Sequence, residues 1–202
     1  MVDIDHLNKI KRRYQQLRGK QEVLQEQLDT GWTEEKRLQM RLADAVKARY
    51  IIQLVSNQTQ KNLEFHISNL TTMALAAVFP DPYEFVTRFV IRSNRTECDM
   101  FFVQYGQEMD PMSSVGGGVK DVTSFSLRVA YWSLSNLRNV LIVDEPFKYV
   151  SVDLQNKCSE MIRLVANTLK VQILMVSHLP EINVAANNII NIKKVGKVSR
   201  CD

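Results

Sequence analysis

Two short apolar runs, each ending in residues that can do chemistry, constrain this chain more than any other feature. The run at 140–143 leads directly into Asp144 and Glu145, and the run at 171–176 leads into Ser177 and His178. Apolar runs of this length, rich in Val and Ile, predict strands buried on both faces. The segment between them has helical character, which predicts a parallel strand pair with a right-handed crossover.

The carboxyl ends of these two strands would meet at one edge of the sheet, where open α/β sheets bind ligands. A carboxylate at Asp144 can hold Mg²⁺, directly or through water. A carboxylate at Glu145 can orient and deprotonate an attacking water. The pattern predicts a nucleotide site, although nothing in the chain matches the phosphate-binding motif G-x-x-x-x-G-K-[ST].

Each of these residues also has a plainer interpretation. Asp144 and Glu145 can form a solvated turn after a strand, and His178 can be a structural histidine with ordinary partners. A buried carboxylate without a partner is costly, so an Asp-Glu-Pro sequence directly after four apolar residues favours a functional role.

Composition sets wider limits. The 202 residues are 45% hydrophobic and 24% charged, as expected for a soluble globular domain with an extension. The net charge of +4 permits contact with nucleic acid without showing it. Three scattered cysteines predict reduced thiols, and neither a disulfide framework nor a zinc site. No apolar stretch is long enough for a membrane span, and the polar N-terminus is no signal peptide, so we expect a cytoplasmic protein without membrane contact.

Residues 1–78 lack proline and favour helix. An a/d heptad seam runs along them, weakened around Gly31 and Glu35, and we expect one continuous helix with a flaw there. The seam comprises Leu7, Ile10, Tyr14, Leu17, Gln21, Leu24 and Leu28, followed by Leu38, Leu42, Ala45 and Ile52.

Such a seam needs a partner helix, or else the helix folds back on its own domain. The basic residues near its start form either a solvated face or a contact with the DNA backbone. They are Lys9, Lys11, Arg12, Arg13, Arg18 and Lys20.

Pro80 and Pro82 end the helical region. The alternating segments 85–92 and 98–105 predict a β-hairpin with a turn at 93–96. After a helix, the Asp-Glu strand, a helix around 152–169 and the Ser-His strand, we expect a short last strand from Asn188 to Ile192. The final residues, with Lys193, Lys194, Lys197 and Arg200, read as a solvated tail.

The run Val115-Gly116-Gly117-Gly118 stands at a loop-to-helix junction. Three glycines there would place bare backbone N–H groups at the positive end of a helix dipole, which is an anion site. Most glycine runs are plain turns or helix caps, so the run gains weight only from the Asp-Glu and Ser-His strands that follow it.

In this order the motifs resemble the C-terminal lobe of an ABC-type ATPase. They most resemble the coiled-coil DNA-repair branch, the SMC and SbcC-type ATPases, phage-encoded members included. In that branch the signature Leu-Ser-Gly-Gly-Glu opens a helix that carries an arginine ten residues after its second glycine. Arg128 stands ten residues after Gly118. Gly117 and Gly118 therefore match the two signature glycines, and Val115, Gly116 and Val119 stand at the leucine, serine and glutamate.

The resemblance assigns roles. Asp144 matches the Walker B aspartate that helps bind Mg²⁺, and Glu145 matches the catalytic glutamate. His178 matches the switch histidine that contacts the γ-phosphate. Gly116, Gly117 and Gly118 would face ATP held by a second head, with Ser113 or Ser114 in place of the missing serine hydroxyl.

The chain also departs from the family pattern. Gly116 lacks the serine hydroxyl, and Val150-Ser151 stands where the D-loop usually ends in Leu-Asp. The Walker A lobe, the Q-loop and the hook that joins two coil arms have no counterpart in the sequence. The resemblance thus implies half of an ATPase, made as a separate chain or a truncated product.

The expected fold is α/β: an ABC ATPase C-terminal half-domain, with a mostly parallel sheet, flanking helices and a β-hairpin, preceded by a long coiled-coil helix. Residues 1–78 would form the arm, and residues 79–202 the lobe with the signature, Walker B and H-loop motifs.

The implied function is ATP hydrolysis with Mg²⁺ and a Walker A-bearing partner, clamping DNA and gating a nuclease subunit through dimerised heads in DNA recombination and repair. A non-catalytic coiled-coil scaffold with a degenerate head is the alternative. A transporter fragment is disfavoured by the coil.

Overall fold

The computed structural model describes residues 4–196 and 198–201. Contacts divide the chain into an arm unit, Met1–Gln58, and a head unit, Thr59–Asp202. Residues 1–3 and Lys197, which belong to the predicted arm and tail, lie outside the described residues. The predicted division at residue 78 stays a prediction.

Helix α1 (Ile4–Val78) is continuous through Gly31, as expected. The hydroxyl of Thr33 donates to the carbonyl of Asp29, one turn back, so Thr33 does not cap a new helix. In the arm unit the apolar seam side chains from Leu7 to Ile52 are exposed.

Strands β1 (Glu84–Arg92) and β2 (Arg95–Gln104) form the predicted hairpin. Its turn is shorter than expected, because Ser93 and Asn94 both adopt the positive φ of a two-residue turn, at 49° and 60°. A third strand, β3 (Gln107–Met109), was not expected and pairs with β2 through a similar turn at Tyr105 and Gly106.

The part of α1 in the head unit accepts hydrogen bonds from the edge of β1 that no other described strand pairs with. Thr72, Ser68 and Glu64 accept hydrogen bonds from the backbone N–H groups of Phe85, Thr87 and Phe89, at 2.9, 2.9 and 2.6 Å. The three acceptors are spaced four residues apart on one helix face, and the three donors alternate along the strand. This contact protects an edge that would otherwise be free to pair.

Helix α2 (Gly117–Leu134) precedes β4 (Val140–Asp144), and α3 (Val152–Leu169) connects β4 to β5 (Gln172–Val176). Strands β4 and β5 pair in parallel, as predicted. A single 3₁₀ turn, Pro180–Asn183, follows β5. The apolar core joins α1, the hairpin, α2 and α3, and its largest fully buried side chains are Phe85, Phe102, Phe125, Phe147, Leu75 and Ile182.

A mostly parallel sheet was the wrong expectation. Among the described residues β4 and β5 are the only parallel strands, and β1–β2–β3 form a separate antiparallel sheet. The apolar runs predict strands of one larger sheet, but the described residues form only this two-stranded parallel pair. One face, with Leu141 and Val143, packs on the core, whereas Ile142 and Leu174 on the other face are exposed.

The last predicted strand was also misplaced. Residues 188–191 form no strand, and β6 (Ile192–Val195) pairs with β7 (Val198–Cys201) in an antiparallel hairpin. The residues expected to be a tail therefore have regular structure. The three cysteines are free thiols, as expected. In the described part of the chain, no helix combines the length and apolar character that crossing a membrane requires.

Candidate functional site

Glu145 stands directly after β4, in the left-handed region with a φ of 46°. Its backbone N–H donates to the carbonyl of Val176, at the end of β5, at 2.9 Å. This backbone conformation costs a non-glycine residue about 1–2 kcal/mol and is concentrated at functional sites. The parallel ladder thus fixes Glu145 at the sheet edge where the two strands end.

His178 joins Glu145 at this edge. Its Nδ1 lies 2.7 Å from Oε1 of Glu145, across 33 positions of sequence. Because an ionised carboxylate only accepts hydrogen bonds, Nδ1 is the donor to it. The glutamate side chain is 31% exposed and the histidine 62% exposed, so the pair lies at the surface and not in the core.

The second carboxylate oxygen of Glu145 has a different environment. Oε2 is buried and accepts no hydrogen bond from the described residues. A buried acceptor without a donor costs free energy, about 1–3 kcal/mol. The arrangement has one oxygen held by an imidazole and one buried oxygen that no described donor satisfies.

Asp144 is the last residue of β4 and is exposed. Among the described residues no group of three His, Cys, Asp or Glu side chains could hold a metal ion. A lone carboxylate suits Mg²⁺ only where phosphates and waters complete the octahedron, which is how nucleotide sites bind this ion. Asp144 therefore fits a Mg²⁺–nucleotide site and does not form a metal site of its own.

The glycine run lies at the start of α2, as predicted. Gly116 is the N-cap, with extended backbone angles, and no side chain caps the helix. The first turn of the helix therefore presents N–H groups that make no intrahelical bond. A Cβ added at Gly116 would meet nothing within 4 Å, so this position opens to solvent.

Gly117 and Gly118 face the chain's own loop instead. A Cβ at Gly117 would lie 2.8 Å from Cβ of Tyr149, and one at Gly118 would lie 3.2 Å from the Tyr149 carbonyl and from Cα of Val150. Close packing of the α2 start on the loop at 147–151 therefore explains these two glycines without any ligand. A larger residue at Gly117 would displace that loop, so Gly116 is the better position for probing a ligand.

Asp110 binds Ser113, one of the two serine candidates. Its Oδ1 accepts bonds from the backbone N–H groups of Met112 and Ser113 and from the Ser113 hydroxyl. These bonds, the one from the Ser113 amide first, lower the pKa of Asp110. Ser114 is exposed, and its hydroxyl lies 3.5 Å from that of Ser113. Ser113 is thus engaged within the loop, which leaves Ser114 as the better substitute for the missing hydroxyl.

We expect Gly117→Ala to destabilise the head by about 1–3 kcal/mol, because its methyl group would overlap Tyr149. Gly116→Ala is the matched control and should be close to neutral, since its methyl group would project into open space. Urea unfolding of the parent and both variants measures the difference. Equal midpoints would show that the loop yields to the methyl group without cost.

Sequence reasoning missed two residues beside the site. Asp121, on α2, accepts a hydrogen bond from the backbone N–H of Tyr149 at 2.7 Å. Tyr149 itself covers Gly117. No spacing or composition signal connects a helical aspartate with a loop amide 28 positions later, so only the folded structure reveals this contact.

Comparison with known proteins finds a relative in the family that the motifs resemble. No protein-family model matches the chain. A DNA double-strand break repair Rad50 ATPase of Thermoplasma acidophilum is 31% identical over 97 residues, which are 46% of this chain. The match spans about a tenth of that relative's length, at 11%.

Solved structures show the fold. An SMC ATPase described for ATP-driven dimerisation and DNA-stimulated activation aligns with a TM-score of 0.54 at 15% identity, over 72% of this chain and 87% of that one. The SMC head of Pyrococcus yayanosii, with a coiled coil and joint, aligns at 0.55 and 14% identity over 98% of this chain and 35% of that one. None of these comparisons supports a phage origin.

The predicted resemblance is confirmed at this level: the chain is similar to part of an SMC/Rad50-like ABC ATPase head with its coiled-coil helix, and it is homologous to a Rad50 ATPase over about half of its length.

Proposed function

We propose that this chain supplies the Walker B, switch-histidine and signature elements of an SbcC-like ATP site and hydrolyses ATP only with a partner that carries the phosphate loop. The observation that carries the proposal is the 2.7 Å contact between Glu145 and His178 at the carboxyl edge of the parallel strands. Two residues far apart in sequence meet where a nucleotide site of this class needs a base and a γ-phosphate contact.

In this proposal each residue has one task. Asp144 helps hold Mg²⁺, which when bound neutralises charge on the phosphates. Glu145 accepts the proton of the attacking water. His178 holds Oε1 and reaches towards the γ-phosphate. These assignments follow the motif order of the family and agree with the observed contacts.

The glycine run acts on a different ATP molecule, held by a second head. Its open Gly116 and the free N–H groups of the α2 first turn suit the terminal phosphate of that ATP. Ser114 would supply the hydroxyl that Gly116 lacks. The SMC ATPase with this fold dimerises in an ATP-driven manner, which supports the same behaviour here.

The remaining partners follow from the arm and the relatives. Among the described arm residues the seam is exposed, so it supports pairing with another helix. Similarity to a double-strand break repair ATPase supports a role at DNA, and the basic residues from Lys9 to Lys20 offer contacts to phosphates. Clamping of DNA and gating of a nuclease subunit complete the proposal, with the cytoplasm as its place.

A non-catalytic scaffold is the second candidate. The absence of the signature hydroxyl at Gly116 and the close intrachain packing of Gly117 and Gly118 favour it, because the glycines then serve as a helix start only. The strained Glu145 and its bond to His178 oppose it, because a scaffold has no use for either.

Reconstitution separates the two functions. We expect no ATP turnover by the purified chain, because it contains no phosphate loop, and turnover once a chain that carries a Walker A lobe of the same ATPase family is added. Phosphate release, measured for each chain alone and for the mixture, with and without Mg²⁺, is the assay. A stable but inactive mixture that binds ATP would favour the scaffold, and turnover by this chain alone would contradict the half-site proposal.

A further inference from the structure

The loop at 147–151 is attached to α2 by a charged side chain. Asp121 Oδ2 accepts the backbone N–H of Tyr149 at 2.7 Å, and the aspartate is half-buried. Burial raises the pKa of Asp121, while the Tyr149 amide and Arg128 act in the opposite direction. A carboxylate in a partly desolvated place makes a stronger bond to an amide than a neutral acceptor does.

Packing reinforces this attachment at the same place. The absence of a side chain at Gly117 and at Gly118 lets Tyr149 and Val150 approach the first turn of α2. The backbone of Val150 is itself satisfied, because its N–H donates to Phe147 and its carbonyl accepts from the buried side chain of Gln155. The loop therefore has little freedom to move independently of α2.

Glu145 lies two residues before this loop. Between Glu145 and Tyr149 lie Pro146, whose ring restricts the backbone, and Phe147, which is fully buried against Phe125 of α2. A displacement of the α2 start would thus be transmitted through Tyr149 to the backbone that carries the carboxylate. The contact network links the glycine run with Glu145 inside one head.

We propose that Asp121 is a positioning residue that fixes the loop 147–151 to the first turn of α2, so that the glycine run and Glu145 keep one geometry when an ATP site closes. This inference rests on the proposed function, because it assigns the two linked elements to two ATP molecules. In this proposal Asp121 contacts neither ATP molecule, and it acts through the Tyr149 amide.

A merely structural bond would affect stability alone. A positioning bond must in addition lower kcat while leaving ATP binding unchanged, because Asp121 contacts the loop and not the nucleotide. Asp121→Ala removes the acceptor, whereas Asp121→Asn keeps a carbonyl oxygen of similar reach that can accept the amide proton.

The first measurement uses the isolated chain and is independent of ATP. Hydrogen exchange at the Tyr149 amide should become faster in Asp121→Ala and stay near the parent rate in Asp121→Asn. Glu160→Ala is the control, since Glu160 is exposed on α3. Unchanged exchange in the alanine variant would overturn the attachment itself, whether or not the chain is part of an ATPase.

The second measurement uses the reconstituted complex with its Walker A-bearing partner. We expect Asp121→Ala to lower kcat about tenfold or more with the KM for ATP unchanged, since small displacements of catalytic groups have effects of this size. Asp121→Asn should restore most of the rate. Asp121→Leu, which keeps a side chain branched at the same atom but has no acceptor, replaces the alanine variant should that one not fold.

The two proposals fail in different ways. An inactive parent complex, with Tyr149 exchange still dependent on Asp121, would contradict the half-site function and with it the positioning role. An active parent complex whose alanine variant turns over ATP at the parent rate, despite fast Tyr149 exchange, would overturn the positioning role alone.

Discussion

In a complex with its phosphate-loop partner, Glu145→Gln is expected to turn over ATP about 10²–10⁴-fold more slowly than the parent, the usual contribution of a general base. Glutamine retains an oxygen that can accept from Nδ1 of His178, so the 2.7 Å contact and the fold should persist. What is lost is the ability to take a proton from water. Single-turnover phosphate release measures the chemical step directly.

The exposed Glu160 on α3 provides the matched control, because Glu160→Gln makes the same chemical change away from the sheet edge. This control should keep the parent rate. In the Glu145→Gln complex ATP should bind normally and persist, so that heads joined by ATP accumulate in sizing experiments. A variant that hydrolyses ATP like the parent would remove Glu145 from the chemistry and leave the contact with His178 as a structural pair.

Several elements were predictable because their local signals are strong. The hairpin followed from alternating apolar residues on both sides of a turn, and α3 followed from its position between two apolar runs. The turn of the hairpin was predicted too long. Within that turn only Ser93 and Asn94 adopt the left-handed backbone, and Arg95 already belongs to β2. Sequence patterns locate a turn better than they count its residues.

The extent of the sheet was not predictable in the same way. Apolar residues on both faces of β4 and β5 predict burial of both faces, but they do not say which chain provides the cover. The pattern correctly identified the strands, and the assumption that this chain covers them was wrong for Ile142 and Leu174.

The candidate site shows the same limit. Asp144, Glu145 and His178 are predicted site residues because motif order places them at strand ends, where the structure brings Glu145 and His178 into contact. Asp121 and Tyr149 were missed because a side chain bonded to a distant backbone amide leaves no trace in spacing. The close packing around Gly117 is equally hard to predict. The sequence does not distinguish a glycine that leaves room for a ligand from a glycine that leaves room for a tyrosine.

The second large effect that we predict concerns the exposed face of the β4–β5 strand pair. Ile142 and Leu174 are direct cross-strand partners, 69% and 54% exposed, and Val176 beside them is 58% exposed. A soluble chain rarely exposes such a contiguous apolar strand pair without a partner. We therefore expect the Walker A-bearing chain to pack on this face, and Ile142→Asp with Leu174→Asp to weaken that complex by about 10²-fold or more.

The magnitude follows from the burial that the complex would add. Completing the burial of two half-exposed aliphatic side chains contributes about 1–2 kcal/mol each, and an unpaired carboxylate placed under a partner adds its desolvation cost. A loss of about 3 kcal/mol corresponds to about 10²-fold in affinity. Sedimentation or surface-binding titration of the two purified chains gives the dissociation constant, and urea unfolding of the isolated variant tests its fold.

Leu164→Asp is the control, because Leu164 is also exposed and apolar but lies on α3, outside the strand pair. It should leave the affinity for the Walker A-bearing chain near that of the parent. The double variant should stay folded alone, since neither side chain belongs to the core, with a moderately lower unfolding midpoint because two carboxylates then face each other across the strands. Undiminished binding by a folded double variant would mean that the partner completes the ATP site from another side, and that the apolar face of β4 and β5 is covered by something else.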